Sequence, residues 1–453
     1  MIANKFMKMW RLLFSLIFVS GAFSVWAADE PSQSRPLMLI KGARLIDTAA
    51  GSVRENHAIL IEGDKIKAAG PAAEIAKSAP PETRSIDLGN ATILPGLIDC
   101  HTHITHQPKN YYEDKFRRSA TDNAVTAHVY ARRTLAAGFT TVRDLGSGEF
   151  VDIALRNAIN AGSVPGPRIL CAAVALGSTG SHADDLTGFS PYLRFETVAP
   201  SIADGVDAVR KAVRTNVKYG ADWIKIMASA GVLSEEESVG APQYTVEEMK
   251  AAVDEAAMWG RKVAAHAHGT EAIKMALRAG VASIEHGSFI DDEGIRMMKE
   301  SGTWLVADIY NDDYILAEFG RLGYPEKIIE KERLVGRVQR ENFRKAAKAG
   351  VKIAYGTDAG VYPHGGNGKQ FAKMVEWGLT PMQAIQSATT NAADLIGWKT
   401  KVGQLAPGFY ADLVAIPGDP LTDIALFEKP AFVMKGGAVY KNALTSDAVV
   451  KSE

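Results

Sequence analysis

Glu255-Ala-Ala-Met-Trp-Gly-Arg-Lys-Val-Ala-Ala-His-Ala-His268 carries the organising rule of this chain. An amphipathic stretch, Val246 to Met258, runs into Gly260, and a β-rich run, Val263 to His266, follows it. Glycine suits the place just past a helix because it enters the left-handed conformation without a Cβ penalty. The same order recurs outward in both directions. Gly138 leads into Phe139 to Val142, Gly220 into Asp222 to Met227, and Gly280 into Val281 to Ile284. Gly302 leads into Trp304 to Ala307, and Gly350 into Val351 to Tyr355. Ile93 to Ile98 and Arg168 to Val174 complete eight β-runs separated by helical segments. Alternation of this kind predicts an α/β fold with a parallel (β/α)8 barrel, TIM-like, over residues 93–398. A doubly wound open sheet is the rival, but no Gly-rich phosphate turn follows an early strand.

The flanks read differently. Leu37 to Ile40, Ala58 to Glu62 and Lys65 to Ala69 are short β-runs, and Ala411 to Ile416, Phe432 to Lys435 and Ala438 to Tyr440 resume that character. Residues 28–92 and 399–453 are therefore expected to join as a small β-sandwich built from both termini, with a loose C-terminal tail. Lys5, Lys8 and Arg11 precede the apolar run Leu12 to Val25, and Val25-Trp26-Ala27 offers small residues for cleavage. Residues 1–27 thus read as a signal peptide, and the protein as exported, periplasmic or secreted. The run is shorter than the roughly 20 apolar residues of a spanning helix, so no stable membrane insertion is expected once it is removed; an uncleaved anchor is the alternative. The 51 Lys and Arg against 52 Asp and Glu leave a net charge of −1, which excludes the basic face of a nucleic-acid binder. The only two cysteines, Cys100 and Cys171, fall in different expected core strands and read as buried free thiols.

Active sites of such barrels sit at the C-terminal ends of the strands. Six of the ten histidines fall there: His101, His103, His182, His266, His268 and His286. His101 and His103 are two apart in an extended run, so both rings can face one ion. Asp358 ends the eighth β-run. Lys225 lies within the fourth, on one face with Trp223 and Met227. An ammonium buried there is costly, and a neutral amine can react with CO2 to give a carbamate able to bridge two metals. Four imidazoles, a carboxylate and that carbamate suit two divalent metal ions, with Zn2+ the expected pair. One ion would take His101, His103 and Asp358, and the other His266 and His286, with Lys225 and a hydroxide as bridges. Metal binding brings the pKa of that water towards about 7, and Asp358 is the catalytic proton shuttle to the leaving amine.

This ordered set, with Leu94-Pro-Gly-Leu-Ile-Asp-Cys-His-Thr-His103 and Gly403-Gln-Leu-Ala-Pro-Gly-Phe-Tyr-Ala-Asp-Leu-Val414, resembles the amidohydrolase superfamily over nearly the whole chain. Within it the chain is most similar to the Xaa-Pro and Xaa-Arg/Lys dipeptidase branch, related to imidazolonepropionase, and to secreted ochratoxin A amidohydrolases. The resemblance implies a metal-dependent amide hydrolase that releases a C-terminal amino acid from N-acyl amino acids or short peptides. Ochratoxin A, an aryl amide of phenylalanine, fits that outline. It also implies a homo-oligomer, up to an octamer. Hydrolysis of a lactam, as in imidazolonepropionase, is the enzymatic alternative, and a non-catalytic scaffold the other class.

Further residues are candidates for holding substrate. His182 stands in the loop after the third strand, His268 shares the face of His266, and Tyr310 follows the seventh strand with Asn311. The dipeptidase branch commonly has tyrosine where His268 stands. Arg143 and Asp144 end the second strand and read as a structural ion pair. Glu285 is expected to face the helix layer, and Glu235 to Glu237 to form a solvated loop face.

Overall fold

The computed structural model describes residues 36–193, 201–236 and 238–444. The expected signal peptide and residues 445–453 of the tail lie outside them. The N-terminal flank forms β1 (Leu37–Asp47), β2 (Ser52–Glu62), β3 (Lys65–Pro71), β4 (Arg84–Asp87) and β5 (Thr92–Pro95). Alternation along β1 and β2 sorts their side chains. Ile40, Ile59 and Ile61 enter one apolar cluster, while Leu39, Ala58 and Leu60 pack with Ile75 of the short helix Ala72–Ser78.

Seven regular parallel strands follow: β6 (Leu97–Thr102), β7 (Phe139–Asp144), β8 (Arg168–Cys171), β9 (Trp223–Met227), β10 (Lys262–Ala267), β11 (Ser283–His286) and β12 (Trp304–Val306). They form two ladders, β6-β7-β8 and β9-β10-β11-β12. Leu176 couples β8 to β9: its N–H donates to Lys225 O at 2.9 Å, and its carbonyl accepts from Met227 N at 2.8 Å. On the other side, Ala354 N donates to Leu305 O at 3.1 Å and Cys100 N to Tyr355 O at 2.8 Å. The expected eighth strand, Val351 to Tyr355, thus meets β12 through the single bridge Leu305–Ile353 and β6 through one hydrogen bond, and forms no regular ladder. The arrangement is a TIM-barrel-like α/β fold. The helix–glycine–strand rule is visible in the backbone, where Gly220, Gly280, Gly302 and Gly350 close helices in the left-handed conformation.

The chain ends with β13 (Leu413–Ile416), β14 (Phe432–Lys435) and β15 (Ala438–Asn442). β5 pairs with β1 in parallel and with β13 antiparallel, so the two termini merge edge to edge. The result is one eight-stranded sheet built from both termini. The start of the barrel differs from expectation. Residues 92–95 belong to this terminal sheet, and the first barrel strand begins at Leu97. The switch falls at Gly96, where a Cβ would stand 2.9 Å from Asp412 Cβ and closer still to Thr140.

Strand parity decides what reaches the site. Ile98, Cys100, Leu170, Trp223, Ala264, Val306 and Ala354 pack into one cluster with the helix Thr390–Leu395. Ile224, Ile226, Val263, Ala265 and Ile284 join the larger cluster with the surrounding helices. Lys225 has the parity of Trp223, and His266 that of Ala264, so both turn away from the helix layer. No helix among the described residues is long and apolar enough to cross a membrane. Cys100 and Cys171 are buried free thiols.

Candidate metal centre

The histidines gather as their strand positions demand. His101 Nε2 and His103 Nε2 converge on Asp358 Oδ1, at 3.3 and 3.2 Å. His266, His268 and His286 form a second group, and His286, Asp308 and Asp358 a third. In each, one ligand atom per residue lies within 4.8 Å of the others. Because the third group shares Asp358 with the first and His286 with the second, the three make one continuous set of nitrogen and oxygen donors. Lys225, 1% exposed, interacts electrostatically with Asp358 and with Asp308. It forms no ion pair among the described residues.

Three of the rings are hydrogen-bonded on their other nitrogen and His101 faces a carboxylate there, the usual way a metal-binding histidine is fixed. His103 Nδ1 meets Gly146 O at 2.9 Å, and His286 Nδ1 meets Asp308 Oδ1 at 2.8 Å. His268 Nδ1 meets Ser288 Oγ at 2.8 Å, and His101 Nδ1 faces Glu285 Oε2 at 3.1 Å. His266 Nε2 and Asp358 Oδ1 are buried and have no hydrogen-bond partner. Burial holds His101, His266 and His268 well below the usual imidazole range, with the Lys225 charge pushing the same way. Neutral imidazoles with free lone pairs are the metal-binding form. Burial opposes the charge of Asp358, but His101 and His103 outweigh it and hold the carboxyl ionised. Burial also lowers Lys225 to about 8, partly offset by Glu285 and Asp358. Orphaned buried donors, neutral rings and an ionised carboxylate fit divalent cations.

Close packing brings the loops onto these rings. A Cβ at Gly231 would stand 2.8 Å from His266 Nε2 and 2.9 Å from His182 Cε1. His182 stacks on His266 with ring centroids 4.3 Å apart, and its Nδ1 lies 2.5 Å from Ser234 Oγ. His268 sits deeper than a substrate-binding role alone requires, since it shares a donor group with His266 and His286. Tyr310 stands apart from these groups: its hydroxyl accepts from Lys369 at 3.1 Å and its ring meets Tyr362 edge-on. Its neighbour Asn311 reaches further in, donating to Asp308 Oδ2 at 2.6 Å and Asp358 Oδ2 at 3.3 Å.

Three sequence expectations fail for physical reasons. Glu285 does not face the helix layer. It is fully buried and paired with Arg143 at 2.9 Å, one carboxylate oxygen on His101. Alternation from His286 puts Glu285 on the wrong side because His286 adopts φ +69°, which breaks the period-two rule at the strand end. Arg143 accordingly pairs across the barrel with Glu285 instead of with Asp144. Glu235 is no solvated face: it pairs with Lys327 at 2.8 Å and Lys115 at 3.5 Å. Asp308, two residues beyond β12, joins the donors although no motif in the sequence marks it.

The chain's likeness to known proteins agrees with this geometry. Residues 92–440 match the amidohydrolase family. Ochratoxinase of Aspergillus niger is 35% identical over 438 residues, covering 90% of each chain. The crystal structure of a Xaa-Pro dipeptidase with methionine bound in its active site has a TM-score of 0.85 at 39% identity, covering 90% of this chain and 100% of that one. The crystal structure of the A. niger ochratoxinase has a TM-score of 0.79 at 32% identity, over 92% of this chain and 99% of that one. With its histidines, acids and buried lysine at the strand ends where they converge, this chain belongs to the amidohydrolase family.

Proposed function

We propose that the protein is a binuclear metal-dependent hydrolase that cuts an amide next to a free C-terminal amino acid, in N-acyl amino acids or short peptides, ochratoxin A among them. The observation that carries this is the run of three donor groups linked through Asp358 and His286. It is wider than one ion needs. His101, His103 and Asp358 would hold one cation, and His266 and His286 the other, with His268 and Asp308 beside them. Two divalent cations, Zn2+ in the first instance, would supply a water acidic enough to attack an amide at neutral pH.

The chain's own groups do the rest. Lys225, brought to about 8 by burial, would carry a neutral amine often enough to take up CO2 with release of a proton, and the resulting carbamate would offer two oxygens to the cations. Asp358 accepts the proton of the attacking water and returns it to the leaving nitrogen. His182, stacked on His266, and His268, within the donor group of His266 and His286, donate to the substrate carboxylate, and Tyr310 lines the mouth beyond Asn311. The barrel is read as closed through Ile353 to Ala359, the terminal sheet as folded over into a sandwich, and export as following cleavage after Ala27. The names of the two similar enzymes, an ochratoxinase and a Xaa-Pro dipeptidase, support an amide beside a carboxylate.

The test joins metal analysis to a substrate screen. Active protein should contain close to two divalent metals per chain, lose activity to chelators, and cleave N-benzoyl-phenylalanine and dipeptides in preference to lactams. Active protein with less than half a metal per chain would refute the metal reading. A preference for lactams would replace the substrate class.

A further inference from the structure

Lys331 belongs to the long helix Glu326–Ala349 and is 5% exposed, an uncommon setting for a lysine. Its ammonium faces no carboxylate within ion-pair distance among the described residues. All three of its N–H donors are spent on backbone carbonyls of one loop: Gly231 O at 3.1 Å, Ser234 O at 2.6 Å and Glu236 O at 2.8 Å. One helical turn earlier, Lys327 donates to Glu235 O at 2.8 Å. The loop held in this way contains Gly231, pressed against His266 and His182, and Ser234, the partner of His182.

Ser234 has one hydroxyl proton and two places to send it. Its Oγ lies 2.5 Å from His182 Nδ1 and 3.0 Å from Gly231 O, while Gly231 N donates to it at 2.8 Å. If the proton goes to Gly231 O, the ring must donate from Nδ1, and Nε2 becomes an acceptor. If it goes to Nδ1, the ring proton sits on Nε2. Lys331 already donates to Gly231 O, and the ammonium makes that carbonyl's lone pairs less available to a second, neutral donor. The balance then favours Ser234 donating to His182 Nδ1.

We propose that Lys331, acting through Ser234, is a positioning residue that fixes His182 as the Nε2–H tautomer, the form that can donate to a substrate carboxylate. The proposal rests on the carboxylate-binding role given to His182 above. It adds that substrate selection is set from Lys331 of the helix Glu326–Ala349, through the loop that carries Gly231 and Ser234.

The experiment compares kcat/KM for N-benzoyl-phenylalanine with that for its carboxamide in the metal-loaded wild type and in Lys331→Met, Ser234→Ala and His182→Ala. The acid should be preferred by the wild type, and each variant should lose about 10-fold or more of that preference, mostly through KM, with metal content unchanged. Lys331→Met/His182→Ala should be no worse than His182→Ala alone. With 15N-labelled histidine, the His182 signals should move towards the Nδ1–H form in Lys331→Met, which a purely structural brace would not cause. If His182→Ala loses the preference and both Lys331→Met and Ser234→Ala keep it, the positioning role is overturned and the anchor stands. If His182→Ala itself keeps it, both fall. Should Lys331→Met fail to fold or to hold metal, Ser234→Ala removes only a hydroxyl and decides the matter by the same ratio.

Discussion

Glu285→Gln is a sharp test of how the barrel interior supports the metal donors. Glu285 and Arg143 are both fully buried, and one carboxylate oxygen takes Arg143 at 2.9 Å and Ser283 Oγ at 2.5 Å. The other faces His101 Nδ1 at 3.1 Å. Glutamine keeps the shape but removes the charge, leaving the Arg143 guanidinium uncompensated, with Cys100 O at 2.6 Å, Ser283 Oγ at 3.1 Å and the Trp223 face as its remaining partners. Breaking a buried pair from one side costs about 3–5 kcal/mol. Loss of the carboxylate behind a ligating histidine typically weakens metal binding about 10- to 100-fold. Chelator-treated protein unfolded in urea isolates the first effect, and competition with a chromogenic chelator measures the second. Arg143→Met/Glu285→Gln should cost clearly less than the sum of the two single variants, because neither charge is then left alone. A single-variant cost under about 1 kcal/mol, or strict additivity in the double variant, would refute the account of a coupled buried pair.

Two further outcomes are expected. Lys225→Ala and Lys225→Arg should each lose metal and nearly all turnover, since arginine keeps its charge and forms no carbamate; near-native turnover in Lys225→Arg would make the lysine a structural charge. Lys435, in the terminal sheet, is pushed down to about 8 by burial and by Arg168. The unfolded chain keeps that proton up to the ordinary lysine range, whereas the folded chain releases it near 8. Its contribution therefore makes stability rise with pH between about 8 and 10.5. Lys435→Met should flatten that slope in urea titrations at several pH values, and an unchanged difference from wild type would exclude the effect.

The strands and the donors that end them were legible because both follow local rules. Glycine after a helix and β-branched runs mark the strands, and period-two alternation groups Lys225 with Trp223 on one face, which the structure turns away from the helix layer. What stayed hidden comes from contacts between distant segments. Ser234 meets His182 across 52 positions, and Lys331 meets Gly231 across 100. Neither pair leaves a pattern in the sequence, since a lysine that spends its donors on backbone carbonyls can face any residue type. The eighth strand was overdrawn for a related reason. Its β-rich composition is real, but it meets β12 through one bridge and β6 through one hydrogen bond, so no ladder extends along it.

The failure at Glu285 shows where local rules stop. His286, Asp358 and Ala173 are non-glycine residues with φ of +69°, +54° and +59°, and all three lie at or just beyond the ends of inner β-segments. A side chain in that conformation leaves the alternation of the strand behind it, so parity carried backwards from His286 misplaces Glu285. Such conformations cost of order 1–3 kcal/mol each and persist only where the surroundings over-determine them. At His286 the surroundings are Asp308, at 2.8 Å, and Gly287, whose N–H donates to Ala267 O at 3.1 Å. At Asp358 they are His101 O, which accepts the backbone N–H at 2.7 Å, and the two imidazoles on its carboxylate. Within the three donor groups, the strain thus falls on the two residues that link them. Turning these two side chains out of the alternation lets both His286 and Glu285 serve the interior, one as a donor and the other as the support behind His101.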